Sequence, residues 1–223
     1  MDVIEAIGKR KSIRKYKPDP VPREVIREIL EIAGRAPSGM NTQPWEFAVL
    51  TGDVIEQVKK GNIDMLNSRL QSGPANRGGE KPPDTVYRRR QVALAFEIFR
   101  VMEIPRDDME KRAQWLQRGF RFFDAPAAII LMVDRSLPEP GPMLDIGAMM
   151  QTFCLAAMNY GLGTCIESQG ASFPDVLHQH ANIPESKRII ISIAIGYPDL
   201  DFPVNRMVTA REPVENTTIW RGF

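Results

Sequence analysis

Residues 36–45 read APSGMNTQPW. Ser38 and Gly39 are turn formers, and Asn41 and Gln43 carry carboxamides that donate and accept hydrogen bonds in one plane. A heteroaromatic ring whose edge alternates carbonyl and imine groups needs partners of that kind. The stretch therefore predicts a loop that binds a planar heterocycle, and the chain on either side of it indicates which one.

Upstream of this loop, one helix separates it from a strongly basic turn. Residues 23–35 place apolar side chains at helical spacing, with Pro22 near the helix start. Before that helix, residues 10–14 read RKSIR and combine three cations, a hydroxyl and several backbone N–H donors. Such a turn can hold a phosphate by charge-assisted hydrogen bonds, although a short basic run is more often solvated surface. Taken alone, the turn does not decide between these two interpretations.

The remaining helices and strands follow from the periodicity of apolar residues. We expect helices at residues 2–9, 23–35, 85–102, 107–118 and 145–160, about two helical turns from residue 53, strands at 46–50, 127–133 and 188–196, and an extended segment at 161–168. The helix at 145–160 is almost wholly apolar, with Asp145 suited to its N-cap, so we expect it to be the central buried helix. Residues 61–83 accumulate Gly, Pro, Asn and charge, which predicts an excursive loop.

The C-terminal tail, from Asp201 onwards, shows no regular periodicity and is expected to be extended. It nevertheless carries the large apolar side chains of Ile219, Trp220 and Phe223. Side chains of this size gain roughly 1.5–3 kcal/mol each from burial, and an extended tail cannot bury them by itself. The tail therefore predicts that the chain wraps around a partner, as in an obligate homodimer.

Composition restricts the classes of protein to which the chain can belong. Its 223 residues and 43% hydrophobic content suit one globular domain, and a net charge of +1 gives no global field that would gather nucleic acid. The N-terminus lacks an apolar signal segment, and no window approaches the roughly 18 apolar residues of a membrane span. We therefore expect a cytoplasmic protein with no nucleic-acid or membrane partner.

Cysteine and histidine residues do not form a metal or redox motif in the sequence. Cys154 and Cys165 are separated by a predicted helix and turn, and we expect both to be buried, reduced thiols. His178 and His180 stand two positions apart with no cysteine or carboxylate cluster to complete a metal site. We expect both histidines at the surface and no bound metal.

Taken together, the basic turn, the helix after it and the loop at residues 36–45 resemble the nitroreductase superfamily, whose RxSxR-type turn and PSxxNxQPW loop have this order and spacing. The resemblance continues through FFDAP, GLGTC and AIGYPD to Arg211-Glu-Pro-Val, and it covers the chain apart from about residues 61–117. It implies a single domain over residues 1–223 of the α+β class, with a central mixed β-sheet flanked by helices. It further implies an intertwined homodimer with an extended C-terminal tail, in which residues 61–117 form a lid over the active site.

The resemblance also implies a site for FMN and assigns residues to each end of that cofactor. The phosphate and the ribityl chain would be held by Arg10, Lys11, Ser12 and Arg211. Arg14 would lie toward the pyrimidine end of the flavin, where a positive charge beside N1 and O2 favours the reduced form. The sequence has no GxGxxG dinucleotide fingerprint, which agrees with FMN rather than FAD.

Other FMN contacts would come from the neighbouring subunit and from the segment beside flavin N5. Four loop residues would reach the cofactor across the dimer interface: Pro37, Ser38, Gly39 and Asn41. Ile166 and Glu167 fall near the point where a backbone N–H meets flavin N5. Arg206 either assists the phosphate or makes an ordinary surface salt bridge.

Flavin carries the hydride chemistry itself, so we expect no catalytic side chain beyond the residues that bind and orient it. The resemblance implies that NADH or NADPH supplies the electrons and that a nitroaromatic, quinone or similar small, flat acceptor receives them. Both would use the same open face of the flavin in turn, which is a ping-pong mechanism.

Three other functions remain compatible with these motifs. One is reductive dehalogenation of the iodotyrosine deiodinase type, whose lid places a Glu and a Tyr four residues apart, whereas here Pro83 precedes Tyr87. Another is the destruction of flavin to make the benzimidazole of cobalamin. The last is a non-enzymatic flavin-binding sensor or storage protein, which would bind FMN without turnover by either nucleotide.

Overall fold

A four-stranded β-sheet lies at the centre of the computed structural model, which describes residues 1–71 and 84–223. Its strands are β1 (Glu46–Thr51), β2 (Ala127–Asp134), β3 (Gly163–Glu167) and β4 (Lys187–Gly196), in the order β1-β2-β4-β3. The central strands β2 and β4 are largely uninterrupted apolar runs, as expected for strands that are covered on both faces. This architecture confirms the predicted α+β class.

Helices cover both faces of the sheet. The helices of the described residues are α1 (Val3–Lys9), α2 (Arg23–Ala33), α3 (Gly52–Gln71), α4 (Val86–Val101), α5 (Met109–Phe120), α6 (Pro142–Asn159), α7 (Pro174–His180) and α8 (Pro203–Arg206). Side chains of α2 and α6 pack on one face, and those of α3, α5 and α7 pack on the other. Alternate residues of β2 point to opposite faces, so Ile129 joins the cluster with α2 and α6 while Ile130 joins the cluster with α3.

The sheet differs from the predicted mixed sheet, because every strand pairing in the described part of the chain is antiparallel. The parallel contact in the described residues is an isolated bridge between Ser12 and Thr164. The segment around Ser12 meets the edge of β3 through the hydrogen bond from Ile13 N–H to Thr164 O, at 2.9 Å, but it does not continue as a strand. The prediction of a mixed sheet is therefore wrong for the strands of one chain.

Helix α3 continues well beyond the two turns that the sequence predicts. Gly61 allows a close approach to α7, since a Cβ there would lie 2.7 Å from a valine side chain. Asn62 is fully buried and donates hydrogen bonds to the carbonyl oxygens of Phe120 and Gly170, at 3.0 and 3.2 Å. Tertiary packing thus overrides the low helix propensity of these residues. The rest of the predicted loop, residues 72–83, lies outside the described residues.

Helix α6 begins earlier than predicted and is less buried. Pro142 occupies its first turn after Gly141, so Asp145 lies inside the helix and is not its N-cap. One face of α6 is exposed in the single chain, where Leu144 is 85% exposed. The expectation of a central buried helix is therefore met only on the face that packs against the sheet.

Helix α7 forms where the sequence predicts no element. Pro174 suits the first turn of a helix, and Val176 and Leu177 pack into the core. The neighbouring His178 is half-buried, with Nδ1 2.8 Å from the carbonyl oxygen of Ile183. The expectation of a surface position is therefore wrong for this histidine.

The C-terminal tail is extended as predicted, apart from α8 and a short turn at Val214–Asn216. In the single chain Ile219 is 80% exposed, Trp220 is 56% exposed and Phe223 is fully exposed. The rings of Trp220 and Phe223 touch edge to face, with centroids 5.4 Å apart. The end of the tail is thus an apolar segment that lies outside both core clusters.

Candidate active site

A cavity of about 780 Å³ is lined by five cationic side chains from opposite ends of the chain. They are Lys9 at the end of α1, Arg10, Lys11 and Arg14 from the turn after it, and Arg211 from the tail. The hydroxyl of Ser12 also lines the cavity. Lys9 pairs with Glu5, whereas among the described residues none of the other four cations has a carboxylate within 4.0 Å. A cluster of cations without acidic partners suits an anionic ligand that accepts charge-assisted hydrogen bonds.

The edge of β3 determines where the basic turn lies. Gly163 lets the two backbones approach closely, since a Cβ there would lie 2.5 Å from Ile13 Cγ1. Ile13 is 4% exposed and packs into the core, which leaves its neighbours Ser12 and Arg14 to line the cavity. The alternation of one core residue between two cavity residues is that of an extended segment.

A second cavity, of about 430 Å³, adjoins the first at Arg14, which lines both. Its lining includes Ile166 and Glu167 from β3, the two residues predicted to lie near flavin N5. Trp115 and Phe123 supply an aromatic wall. The two cavities together form a site with a cationic end and a more apolar, aromatic end.

Glu167 contributes a buried carboxyl group, which the sequence does not reveal. Its Oε2 accepts a hydrogen bond from Gly170 N–H at 2.8 Å, and its Oε1 accepts one from the Ser192 hydroxyl at 2.6 Å. Burial raises the pKa of Glu167 to about 7, although these hydrogen bonds oppose that shift. The side chain thus ties the end of β3 to β4 and to the turn at Gln169–Ala171. The sequence contains one indication of this buried group, because Ser192 is a lone polar residue in the apolar run of β4.

Replacing Glu167 by glutamine is expected to remove a pH dependence of stability. The raised pKa means that the folded protein keeps a proton that the unfolded chain loses, so the ionised carboxylate destabilises the fold. In the wild type, the free energy of unfolding should fall by up to about 3 kcal/mol as the pH rises from about 4.5 to about 7. Urea unfolding of the apoprotein across this pH range measures the effect. Equal pH slopes for wild type and Glu167→Gln would contradict it.

The loop at residues 37–41 lines neither of the two cavities of its own chain. Gly39 N–H donates a hydrogen bond to the Asp145 carboxylate of α6 at 3.2 Å. Met40 is 98% exposed and has a φ of 51°, in the left-handed region that is costly for residues other than glycine. The loop therefore faces outward from the chain. The assignment of Pro37, Ser38, Gly39 and Asn41 to the site of a neighbouring subunit stays a prediction.

Arg206 does not line either cavity. Its Nε donates to the carbonyl oxygen of Leu200 at 2.7 Å, and its Nη2 pairs with Asp201 at 3.1 Å. Of the two roles left open by the sequence, these contacts favour the surface salt bridge.

The predicted lid borders the site through the helices that the structure describes. Leu94 of α4 lines the first cavity and Trp115 of α5 lines the second. Residue 83, on which the comparison of Tyr87 with the deiodinase lid depends, lies outside the described residues. The role of the region as a lid stays a prediction.

Within the described ranges, no helix is both long enough and apolar enough to cross a bilayer. The same residues contain no group of three or more histidine, cysteine, aspartate or glutamate side chains placed to hold a metal ion. Cys154 and Cys165 are buried, free thiols. Burial raises the pKa of the Cys165 thiol to about 11, so it stays protonated at neutral pH although it lines the second cavity.

Comparison with known proteins identifies the family. The Nitroreductase family model matches residues 7–197. A 4-nitrobenzoate reductase from a Nocardioides species is 32% identical, over 99% of this chain and 91% of the relative. A nitrobenzene nitroreductase from Ectopseudomonas oleovorans is 29% identical, over 97% of this chain and 95% of the relative.

A solved structure shows the same architecture. The FMN and NADPH-dependent nitroreductase NfnB from a Sphigopyxis species matches with a TM-score of 0.91 and 27% identity, and the match covers 100% of both chains. The predicted family and fold class are confirmed by these matches. With a family match that spans residues 7–197 and a relative that is 32% identical over 99% of this chain, the chain belongs to the nitroreductase family.

Proposed function

We propose that the chain is an FMN-dependent oxidoreductase that takes electrons from NADPH or NADH and passes them to a nitroaromatic acceptor. The observation that carries the proposal is the pair of adjoining cavities, with the cations of the basic turn and tail at one end and an aromatic wall at the other. This arrangement suits a cofactor with a terminal phosphate and a planar ring. The names of the relatives, a 4-nitrobenzoate reductase and an FMN and NADPH-dependent nitroreductase among them, support the same activity.

The donors of the chain fit FMN at both of its ends. The groups suited to the phosphate are the side chains of Arg10, Lys11, Ser12 and Arg211. Arg14 lines the junction of the two cavities, where its charge would lie beside the ring and favour the reduced flavin. The end of β3 at Ile166 and Glu167 borders the second cavity, where a backbone N–H would meet flavin N5.

The roles of the chain in the reaction are binding, orientation and exclusion of water. When bound, FMN supplies the electron-transfer chemistry. Arg14 would orient the ring electrostatically, and Trp115 and Phe123, which line the second cavity, would limit the access of water to the bound ring. We infer that nucleotide and acceptor use the same open face in turn, which gives a ping-pong mechanism, and that α4 and α5 form part of a lid over that face.

We further propose that the working unit is a homodimer in which each loop completes the site of the partner. The loop residues assigned to this role are Pro37, Ser38, Gly39 and Asn41. They line neither cavity of their own chain. Gly39 contacts α6 at Asp145, and the next side chain, Leu144, is exposed, as is Ile219 in the tail. Large apolar side chains that are exposed in the single chain are characteristic of an interface between subunits.

Purified protein is expected to be yellow and to release FMN, rather than FAD, on denaturation. The cation cluster that lines the first cavity suits one terminal phosphate, and the sequence has no dinucleotide fingerprint. Reversed-phase chromatography of the released flavin identifies it. As a control, apoprotein mixed separately with FMN and with FAD should retain only FMN on gel filtration. Recovery of FAD, or of no flavin after gentle preparation, would contradict the proposal.

A further inference from the structure

The backbone of Arg14 is bound on both sides by side chains from distant parts of the chain. Its N–H donates a hydrogen bond to Asn205 Oδ1 at 2.7 Å, and its carbonyl oxygen accepts one from Arg118 Nη2 at 3.0 Å. Asn205 belongs to α8 and Arg118 to α5. Arg14 is therefore held at a fixed point between two helices, while its own side chain lines both cavities.

Asn205 is fully buried, and its carboxamide is satisfied by three backbone groups. Besides accepting from Arg14 N–H, it donates through Nδ2 to the carbonyl oxygens of Lys15 and Asp199, both at 2.8 Å. A planar group with an acceptor on one side and two donors on the other meets these demands. Alanine at this position would remove the acceptor for Arg14 N–H together with both donors, without adding a charge.

Arg118 is held on three sides. Its side chain is 17% exposed, it pairs with Asp124 at 3.3 Å, and its guanidinium lies 5.1 Å from the centroid of the Phe202 ring, just before α8. Its Nε is buried without a hydrogen-bond partner among the described residues. A buried donor without an acceptor destabilises the fold, so the contacts of the Nη atoms and the ring outweigh the loss at Nε.

We propose that Arg118 and Asn205 are positioning residues for Arg14, and that together they determine where its guanidinium lies relative to the flavin ring. This inference rests on the proposed function, in which Arg14 tunes the bound flavin. Loss of either contact would let the backbone of Arg14 move without removing its charge. The flavin should therefore be held as before but be tuned differently.

The test uses FMN-saturated protein with Arg118→Lys and Asn205→Ala as variants. Lysine keeps a charge beside Asp124 but lacks the forked head that also reaches the Arg14 carbonyl. Arg121→Lys is the matched control, because Arg121 also pairs with Asp124, at 2.8 Å, but does not contact Arg14. Should Asn205→Ala not fold, Arg118→Lys carries the test alone.

Each positioning variant is expected to shift the FMN midpoint potential in the same direction as Arg14→Ala and to slow reduction by the nucleotide roughly two- to tenfold, as for the loss of one hydrogen bond. In an Arg14→Ala background the same substitutions should have no further effect on the potential. The control should leave the potential unchanged.

Three outcomes would overturn the inference. If Arg14→Ala shifts the potential while Arg118→Lys and Asn205→Ala do not, the positioning role fails and the proposed function stands. If the positioning variants shift the potential equally with and without Arg14, they act on the flavin by another route. If Arg14→Ala itself leaves the potential unchanged, the proposed role of Arg14 fails and the inference fails with it.

Discussion

Arg211→Ala is expected to release FMN, because it removes one of the cations assigned to the phosphate while leaving the ring end intact. Loss of one charge-assisted hydrogen bond costs about 1.5–3 kcal/mol, which corresponds to a roughly ten- to hundredfold larger dissociation constant for FMN. The dissociation constant is measured by titrating the apoprotein with FMN and monitoring the flavin fluorescence. Added FMN should restore much of the turnover rate.

Arg14→Ala should fail in a different way, although its side chain lines the same cavity. It removes the positive charge predicted beside N1 and O2, so the flavin midpoint potential should fall and reduction by the nucleotide should slow even at saturating FMN. Potentiometric titration and single-turnover reduction of both variants provide the comparison. If Arg14→Ala kept the wild-type potential and reduction rate and only lost FMN, Arg14 would be another phosphate or ribityl ligand.

Deletion of residues 217–223 is expected to lower the melting temperature and to yield monomer or aggregate. The deleted segment contains Ile219, Trp220 and Phe223, which are 80%, 56% and fully exposed in the single chain. Burial against a partner would stabilise a dimer by roughly 1.5–3 kcal/mol for each of these side chains. Light scattering and thermal unfolding at one protein concentration measure both effects.

Arg221→Ala is the matched control for the deletion, because it alters a polar residue of the same segment and leaves the three apolar side chains in place. It should keep the dimer and a melting temperature close to the wild type. A full-length protein that is monomeric in solution and fully active would refute the proposed dimer.

The central strands and most helices could be predicted because each is a long apolar run or a clear helical repeat. The apolar run at residues 127–133 is bounded by Pro126 and Asp134, so strand β2 was predictable to within one residue. The end of α3 was not, because Gly61 and Asn62 have low helix propensity and form helix only through contacts with α5 and α7. The directions of the strands could not be predicted either, since the apolar pattern of a buried strand is the same whether it pairs in parallel or antiparallel.

The candidate site was also predictable from the sequence only in part. The basic turn and Arg211 could be assigned from motifs, and the structure brings them to one cavity from opposite ends of the chain. Asn205 and Arg118 could not be assigned from the sequence, because their hydrogen bonds to Arg14 join residues that are far apart in the chain and belong to no motif. The burial of the Glu167 carboxyl likewise depends on the packing of β3 against β4.

The proposed function is tested most directly by separating the two half-reactions in a stopped-flow instrument without oxygen. NADPH or NADH alone should bleach the visible absorbance of the FMN-loaded protein. After removal of the nucleotide, 4-nitrobenzoate alone should restore it, with two electrons and two protons converting each nitro group to nitroso and water. Nitroarenes without a carboxylate, quinones and halotyrosines complete the acceptor panel. A flavin that neither nucleotide bleaches, or that is bleached and then reoxidised by no nitroarene, would contradict the proposal.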